Sequence, residues 1–251
     1  MRNPFADDPH QNWRRWGERD PYYAVLLDPR HRRSAISNIA LDALYDSGER
    51  YGAWLEAEFD RLAPNRHRQN VLDFGCGVGR ITLALARRYQ AAIGVDIAPG
   101  MLREAERQAS QRSIANTHFT ESLAGIEPVD AICAFSVLQH MAQPQAEATL
   151  QALVALLRPG GVGAVHILIG DRRSRWRKLY NAVERQLPIV RWPLNLLRRR
   201  PLFDPPVQMN VHSLAAMTGV LQGAGLQTQI ADALGSPAGL IGVEILFHRK
   251  A

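Results

Sequence analysis

The sequence predicts an α/β protein built on a doubly wound sheet, and three observations predict it. From Asn70 onward, short apolar runs alternate with helical stretches at a steady cadence. A glycine-dense turn, Gly75-Cys76-Gly77-Val78-Gly79, joins the first of those runs to the first of those helices. The last two apolar runs are separated only by Asp232 to Gly239, too short for a helical crossover, so they should pair antiparallel.

The strands expected on this pattern are Val71–Phe74, Ala92–Asp96, Thr117–Thr120, Ala131–Phe135 and Val162–Ile169, with Leu226–Ala231 and Leu240–Phe247 as the closing pair. Helices are expected at Arg80–Tyr89, Pro99–Arg112, Pro144–Leu157 and Ser213–Ala224. Pro99 and Pro144 suit a first helical turn, where a missing N–H costs nothing. Pro159-Gly160-Gly161 stops a helix and turns the chain into the next strand. Ahead of the sheet, residues 1–63 form a cap that reads as mostly helical after Pro21. Ile36, Ile39, Ala40, Ala43 and Leu44 recur at helical spacing there, as do Tyr51, Trp54, Leu55 and Phe59. Residues 64–251 make the second unit, interrupted by an insert at 171–211.

Composition narrows the function classes. No apolar run reaches the ~18 residues of a membrane-spanning helix, and the charged N-terminus lacks the apolar core of a secretory signal. Two cysteines, Cys76 and Cys133, make neither a disulfide framework nor a metal site. The expectation is a reduced, cytoplasmic protein with no metal. The net charge of +6 is concentrated: residues 171–200 hold ten basic against two acidic side chains, while the rest of the chain is slightly acidic.

The glycine turn carries the chemistry. Glycines at 75, 77 and 79 let the backbone approach a ligand, and the following helix aims its free N–H groups at the same place. The dinucleotide fingerprint G-x-G-x-x-G would need a third glycine where this chain has Arg80, which disfavours a pyrophosphate ligand and favours one whose strong anion is a carboxylate. Seventeen residues beyond Gly79, Asp96 closes the run Gly94-Val95-Asp96, where an acid can accept both hydroxyls of a ribose.

The loop, Gly94-Val95-Asp96, Val129–Met141 and Leu156-Leu157-Arg158-Pro159-Gly160-Gly161 together resemble, in order and spacing, the class I (Rossmann-like) S-adenosylmethionine-dependent methyltransferase superfamily. The resemblance covers roughly residues 64–170 and 213–251. It implies a seven-stranded sheet of order 3-2-1-4-5-7-6 with strand 7 antiparallel, and S-adenosyl-L-methionine as methyl donor. By position it implies that Asp73 and the loop Gly75, Cys76, Gly77, Gly79 and Arg80 cradle the methionine moiety. Asp96 holds the ribose, and Ile97 and Met101 lie beside the adenine. Ser136 and Gln139 line the methyl-transfer side. Where many relatives place an acid for the adenine amino group, this chain has Leu123, so backbone groups at Ser122 and Leu123, or Glu121, take that place.

Methyl transfer from a sulfonium needs no acid for the leaving group; it needs in-line placement and sometimes a base. His140, just after the fourth strand, is the candidate base, with loop capping or packing as the alternative reading. His166 and His212 read as structural. Trp13–Trp16 and Tyr22-Tyr23 read either as aromatics closing over donor and acceptor or as plain packing.

In the insert, Trp176, Leu179, Tyr180, Val183 and Leu187 form one apolar helical face among arginines, and Arg198-Arg199-Arg200 follows. Three readings stay open: a lid whose arginines meet an anionic acceptor, a basic patch on an acidic membrane surface serving a lipid-linked acceptor, or a solvated charged face. The favoured activity is methylation of a hydroxyl, then an amine, on a small or medium-sized molecule. RNA or a lipid- or glycan-linked acceptor, and a non-catalytic donor-binding protein, are the alternatives. DNA amino methylation is disfavoured, because Phe135-Ser136-Val137-Leu138 stands where such enzymes carry a Pro-Pro-aromatic tetrapeptide.

Overall fold

Strand β1 (Asn70–Phe74) lies near the centre of a seven-stranded sheet, with β2 (Ala91–Val95) and β3 (Thr117–Thr120) on one side. On the other side lie β4 (Val129–Ala134), β5 (Leu157–Asp171), β7 (Leu240–His248) and β6 (Gln227–Asp232). The order is therefore 3-2-1-4-5-7-6, as expected, and β7 runs antiparallel to both β5 and β6. This computed structural model describes residues 8–174, 204, 207–234 and 238–251. Among the described residues, no helix is long and apolar enough to cross a membrane.

The parallel strands β1 and β4 are mostly apolar on both faces because both faces are covered, with Asp73 and Asp130 as buried exceptions. Helices α6 (Gln143–Ala155) and α7 (Leu214–Gly223) pack Leu150, Leu153, Met217 and Leu221 against one face. On the other face, α3 (Asn38–Leu62) and α4 (Arg80–Ala86) pack Tyr51, Leu55, Phe59, Ile81 and Leu85. Gly48 sets how close α3 and α4 approach, since a Cβ there would collide with the Arg80 carbonyl.

The N-terminal region departs from the sequence expectation in two ways. Helicity begins before Pro21: α1 (Pro9–Arg19) starts where the Asp8 carboxylate accepts from the His10 N–H and Pro9 occupies the first turn. Helix α2 (Pro21–Leu26) follows directly. The early part of the expected α3 face is also rotated. Ile39 is 83% exposed and Ala43 is exposed, and the buried stripe begins only at Leu44 and Tyr45. Helix α1 lies on α5 (Pro99–Gln111), and the two bury Trp16, Tyr22, Tyr23, Leu44, Tyr45 and Met101 in a third cluster.

The apolar face Trp176–Leu187 and Arg198–Arg200 lie outside the described residues. On the entry side of the insert, Arg173 folds back onto the Asp171 carboxylate. On its exit side, Asp204 forms an ion pair with Arg32, which also holds Asp20 and stacks on the Tyr23 ring with its guanidinium carbon 3.6 Å from the ring centre. The cap and the returning chain are thereby tied at one half-buried arginine.

Candidate active site

The carboxyl ends of β1, β2 and β4 open onto one cavity of about 520 Å³. This is where a doubly wound sheet places its ligands. Gly75 adopts φ +73°, and a Cβ there would collide with the Val137 side chain, so glycine is required for the loop after β1 to pass beneath the loop after β4. The N–H groups of Gly75 and Cys76 bond the Val95 carbonyl at 2.7 and 3.0 Å, fastening the turn to the end of β2.

Asp96 anchors the same turn from its own carboxylate. One oxygen accepts from the Gly77 N–H at 3.0 Å and the other from the Ala98 N–H at 2.9 Å. Asp96 lines the cavity, and each oxygen keeps further acceptor capacity, which is what a vicinal diol needs. Asp73 is buried and accepts from the Thr82 hydroxyl at 2.6 Å. Burial pushes both carboxyls up to about 6; at Asp73 the Thr82 bond and the Arg80 guanidinium oppose that rise, and at Asp96 the two backbone N–H groups do. A cationic ligand group beside them favours their ionised forms.

Of the residues singled out from the sequence, Asp73, Gly75, Cys76, Gly77, Arg80, Asp96, Ile97, Met101, Leu123, Ser136 and His140 line this one cavity. Gly79, Ser122 and Gln139 do not. Gly79 turns inward, where a Cβ would stand 2.9 Å from Ala105. The Ser122 hydroxyl is taken by the Ala124 N–H at 3.0 Å. Gln139 is buried behind the loop, with its carbonyl accepting from the Asn210 N–H at 2.7 Å. Glu121 also lines the cavity, but its carboxylate pairs with Arg14 of α1 at 2.9 Å. Ser136 holds φ +58°, a strained conformation for a residue with a side chain, at the point where the loop after β4 turns into the cavity.

The opposite wall comes from the cap. Pro9, His10, Trp13 and Ala24–Leu27 complete the cavity. The two readings of the aromatics thus divide: Trp13 faces the cavity, whereas Trp16, Tyr22 and Tyr23 are buried between the cap and the sheet unit, against Val78, Leu83, Ala98 and Met101. The Trp13 ring lies 4.6 Å from the His140 ring. His140 is half-buried, and its Nδ1 lies 2.6 Å from the Gln208 carbonyl oxygen. That contact assigns the proton to Nδ1 and the lone pair to Nε2. Burial pushes the imidazole down to about 4, against the opposing effect of the Gln208 and Ser136 carbonyls, so it is neutral at pH 7.

Sequence reasoning passed over the clamp that holds this histidine. The Asn210 amide donates to the Gln139 and Met141 carbonyls at 3.2 and 2.8 Å. His212 bridges the Leu138 carbonyl, 2.9 Å from Nε2, and the Gln143 amide oxygen, 3.1 Å from Nδ1. His212 is therefore structural, as expected. The only sequence signal for the clamp was the polar run Gln208 to His212 just ahead of an apolar helix.

Strand order, glycine turn and the Asp96 anchor define a class I, Rossmann-like methyltransferase fold. Residues 71–161 match the family model described as a methyltransferase domain. It is 33% identical over 98 residues to a ubiquinone biosynthesis O-methyltransferase of Cupriavidus pinatubonensis, covering 37% of this chain and 39% of that protein. It is 36% identical over 124 residues to a trans-aconitate 2-methyltransferase of Methylobacterium nodulans, covering 49% of this chain and 45% of that one. The chain thus spans under half the length of these curated relatives. Among solved structures, magnesium protoporphyrin IX methyltransferase from Synechocystis PCC 6803 with bound SAH aligns over 97% of this chain and 100% of its own, with a TM-score of 0.65 and 17% identity. At that identity the likeness is one of fold.

Proposed function

We propose that this chain transfers a methyl group from S-adenosylmethionine to a hydroxyl, or failing that an amine, of a small or medium-sized molecule. The observation that carries the reading is the convergence of Asp73, the Gly75–Gly77 turn and Asp96 on one cavity whose far wall holds His140. The residues present fit the donor. Asp73, deeply buried at the end of β1, suits its ammonium; Asp96, with both oxygens already fixed by backbone N–H groups, suits its ribose; Ile97, Met101 and Leu123 offer an apolar bed for its adenine.

When bound, the donor supplies an electrophilic methyl on a sulfonium that departs as a neutral thioether. The chain's own work is placement and desolvation. Trp13, Val25, Leu26 and Leu27 keep water from the acceptor's side of the cavity. His140 receives the acceptor's proton on Nε2, because its Nδ1 proton is committed to the Gln208 carbonyl. The relatives named for ubiquinone biosynthesis and for trans-aconitate support a small molecule for this chain as well. The cap supports it too, since Pro9, His10, Trp13 and residues 24–27 wall the cavity on the acceptor side. The division into a cap (1–63) and a methyltransferase unit (64–251) forms part of this proposal, with the cap furnishing acceptor-side wall.

Incubating the purified protein and a cell extract with donor carrying an isotopically labelled methyl group, followed by mass spectrometry, tests the reading. A labelled small molecule that requires His140 is expected. Donor binding without any labelled product would instead assign the chain a non-catalytic binding role.

A further inference from the structure

Beside the cavity, and separated from it by one ring, lies a group of polar side chains that the methyl-transfer reading does not use. His166 on β5 and Glu244 on β7 are direct partners across the antiparallel pair, and both are 0% exposed. The Tyr51 hydroxyl of α3 lies toward the Glu244 carboxyl and the Cys133 thiol, whereas neither ring nitrogen of His166 closes a hydrogen bond. Buried polar atoms are nearly always paired, so an imidazole open at both nitrogens beside a buried carboxyl marks a site whose partner comes from outside. Phe135 forms the partition. It lines the cavity on one side, while its ring stands 5.1 Å from the His166 ring and 4.5 Å from the Tyr51 ring on the other.

We propose that the cavity continues beneath Phe135 into a second subsite, floored by His166, Glu244 and Tyr51, that takes an uncharged, hydroxyl-bearing part of the acceptor such as a polyol or sugar ring. The inference rests on the methyl-transfer reading for naming its ligand an acceptor. The class of ligand follows from the donor set. An entering ion would carry a net charge into a fully buried group of side chains, which costs far more than burying a hydrogen-bonded hydroxyl. A hydroxyl can accept from Tyr51 or a His166 N–H while donating to the Glu244 carboxyl, and a polyol carries enough hydroxyls to meet all three residues. Burial supports the same choice, raising Glu244 to about 8 and lowering His166 to about 4, which leaves both uncharged at pH 7. Entry to the subsite requires rotation of the Phe135 side chain, which lines the cavity on one side and contacts His166 on the other.

The test uses methyl α-D-glucopyranoside as probe, with sodium butyrate and propylamine as charged controls, and reads the side-chain 15N resonances of His166, assigned through His166→Gln. A saturable shift with the glucoside alone is expected. It should weaken about fivefold in Tyr51→Phe, which removes one hydroxyl, and more in Glu244→Leu, while Glu244→Gln retains it. Should Glu244→Leu not fold, Tyr51→Phe carries the same comparison. No shift, equal shifts with the charged probes, or a crystal structure in which ordered waters bridge His166 and Glu244 and stay in place under the glucoside would overturn the subsite. Adenosylhomocysteine calorimetry on the same samples separates the two claims: its absence in the wild type overturns the methyl-transfer reading, whereas the glucoside result judges the subsite alone.

Discussion

The Trp13 indole packs against the His140 imidazole at 4.6 Å between ring centres, inclined by 56°. One ring belongs to the cap and the other to the loop after β4, so the acceptor wall and the candidate base are set by a single contact. Removing each should have a separable effect. Trp13→Ala is expected to raise the acceptor KM severalfold with a smaller change in kcat. His140→Ala is expected to lower kcat about 10²-fold, the lower end of the range for a lost general base. Steady-state kinetics with the product found by isotope labelling checks both. Because burial depresses His140 to about 4, the acid limb of kcat at saturating donor should lie between pH 4 and 5, well below an ordinary imidazole's.

Donor affinity should depend on pH through the carboxyls. Asp73 and Asp96 are both raised to about 6, and the bound donor's ammonium and ribose favour their ionised forms. Adenosylhomocysteine binding is therefore expected to be full above pH 7 and to weaken as pH falls through 6. Titrations at pH 5.5 and 7.5 check this. Equal affinities would show that neither carboxyl meets the ligand.

Gly75→Ala is expected to abolish donor binding and lower stability. Its φ of +73° is unfavourable to alanine, and the added methyl collides with Val137, which carries the loop toward Ser136 and His140. Urea denaturation and calorimetry on the same variant separate the two losses.

The Arg32 tie predicts a cap that loosens as a unit. Arg32 holds Asp20 and Asp204 and stacks on Tyr23. Arg32→Ala should make the segment between Asp28 and Ser37 the first site of limited proteolysis while leaving the sheet resistant.

The strand pattern and the glycine turn were legible because they depend on neighbours in sequence: a run of apolar residues, a turn that only glycine can make, an acid at the next strand's end. The rest depends on contacts between distant residues. Trp13 meets His140 across a gap that periodicity does not bridge, and the clamp by Gln208 and Asn210 links two loops on opposite sides of the insert. Gln139 and Ser122 illustrate the converse. Both stand at family site positions in sequence, yet neither lines the cavity. His166 reads as an ordinary strand residue until β7 brings Glu244 beside it.

That pairing has a thermodynamic signature. Burial raises Glu244 to about 8, so the folded state holds a proton that the unfolded state releases above its ordinary carboxyl value near 4.5. The favourable term is complete below about 4.5 and is lost as pH rises toward 8, a change on the order of a few kcal/mol. Glu244→Gln removes the titration, so the variant should gain stability relative to wild type between pH 6 and 8. Urea unfolding across that range measures it, and parallel curves for the two proteins would place the carboxyl in an ordinary environment.

Isothermal titration of the wild-type protein with adenosylhomocysteine, beside Asp96→Ala, addresses the central claim most directly. The account predicts one site per chain with micromolar affinity, weakened at least tenfold when Asp96 loses its carboxylate. No heat of binding in the folded wild-type protein, or undiminished binding in Asp96→Ala, would contradict it.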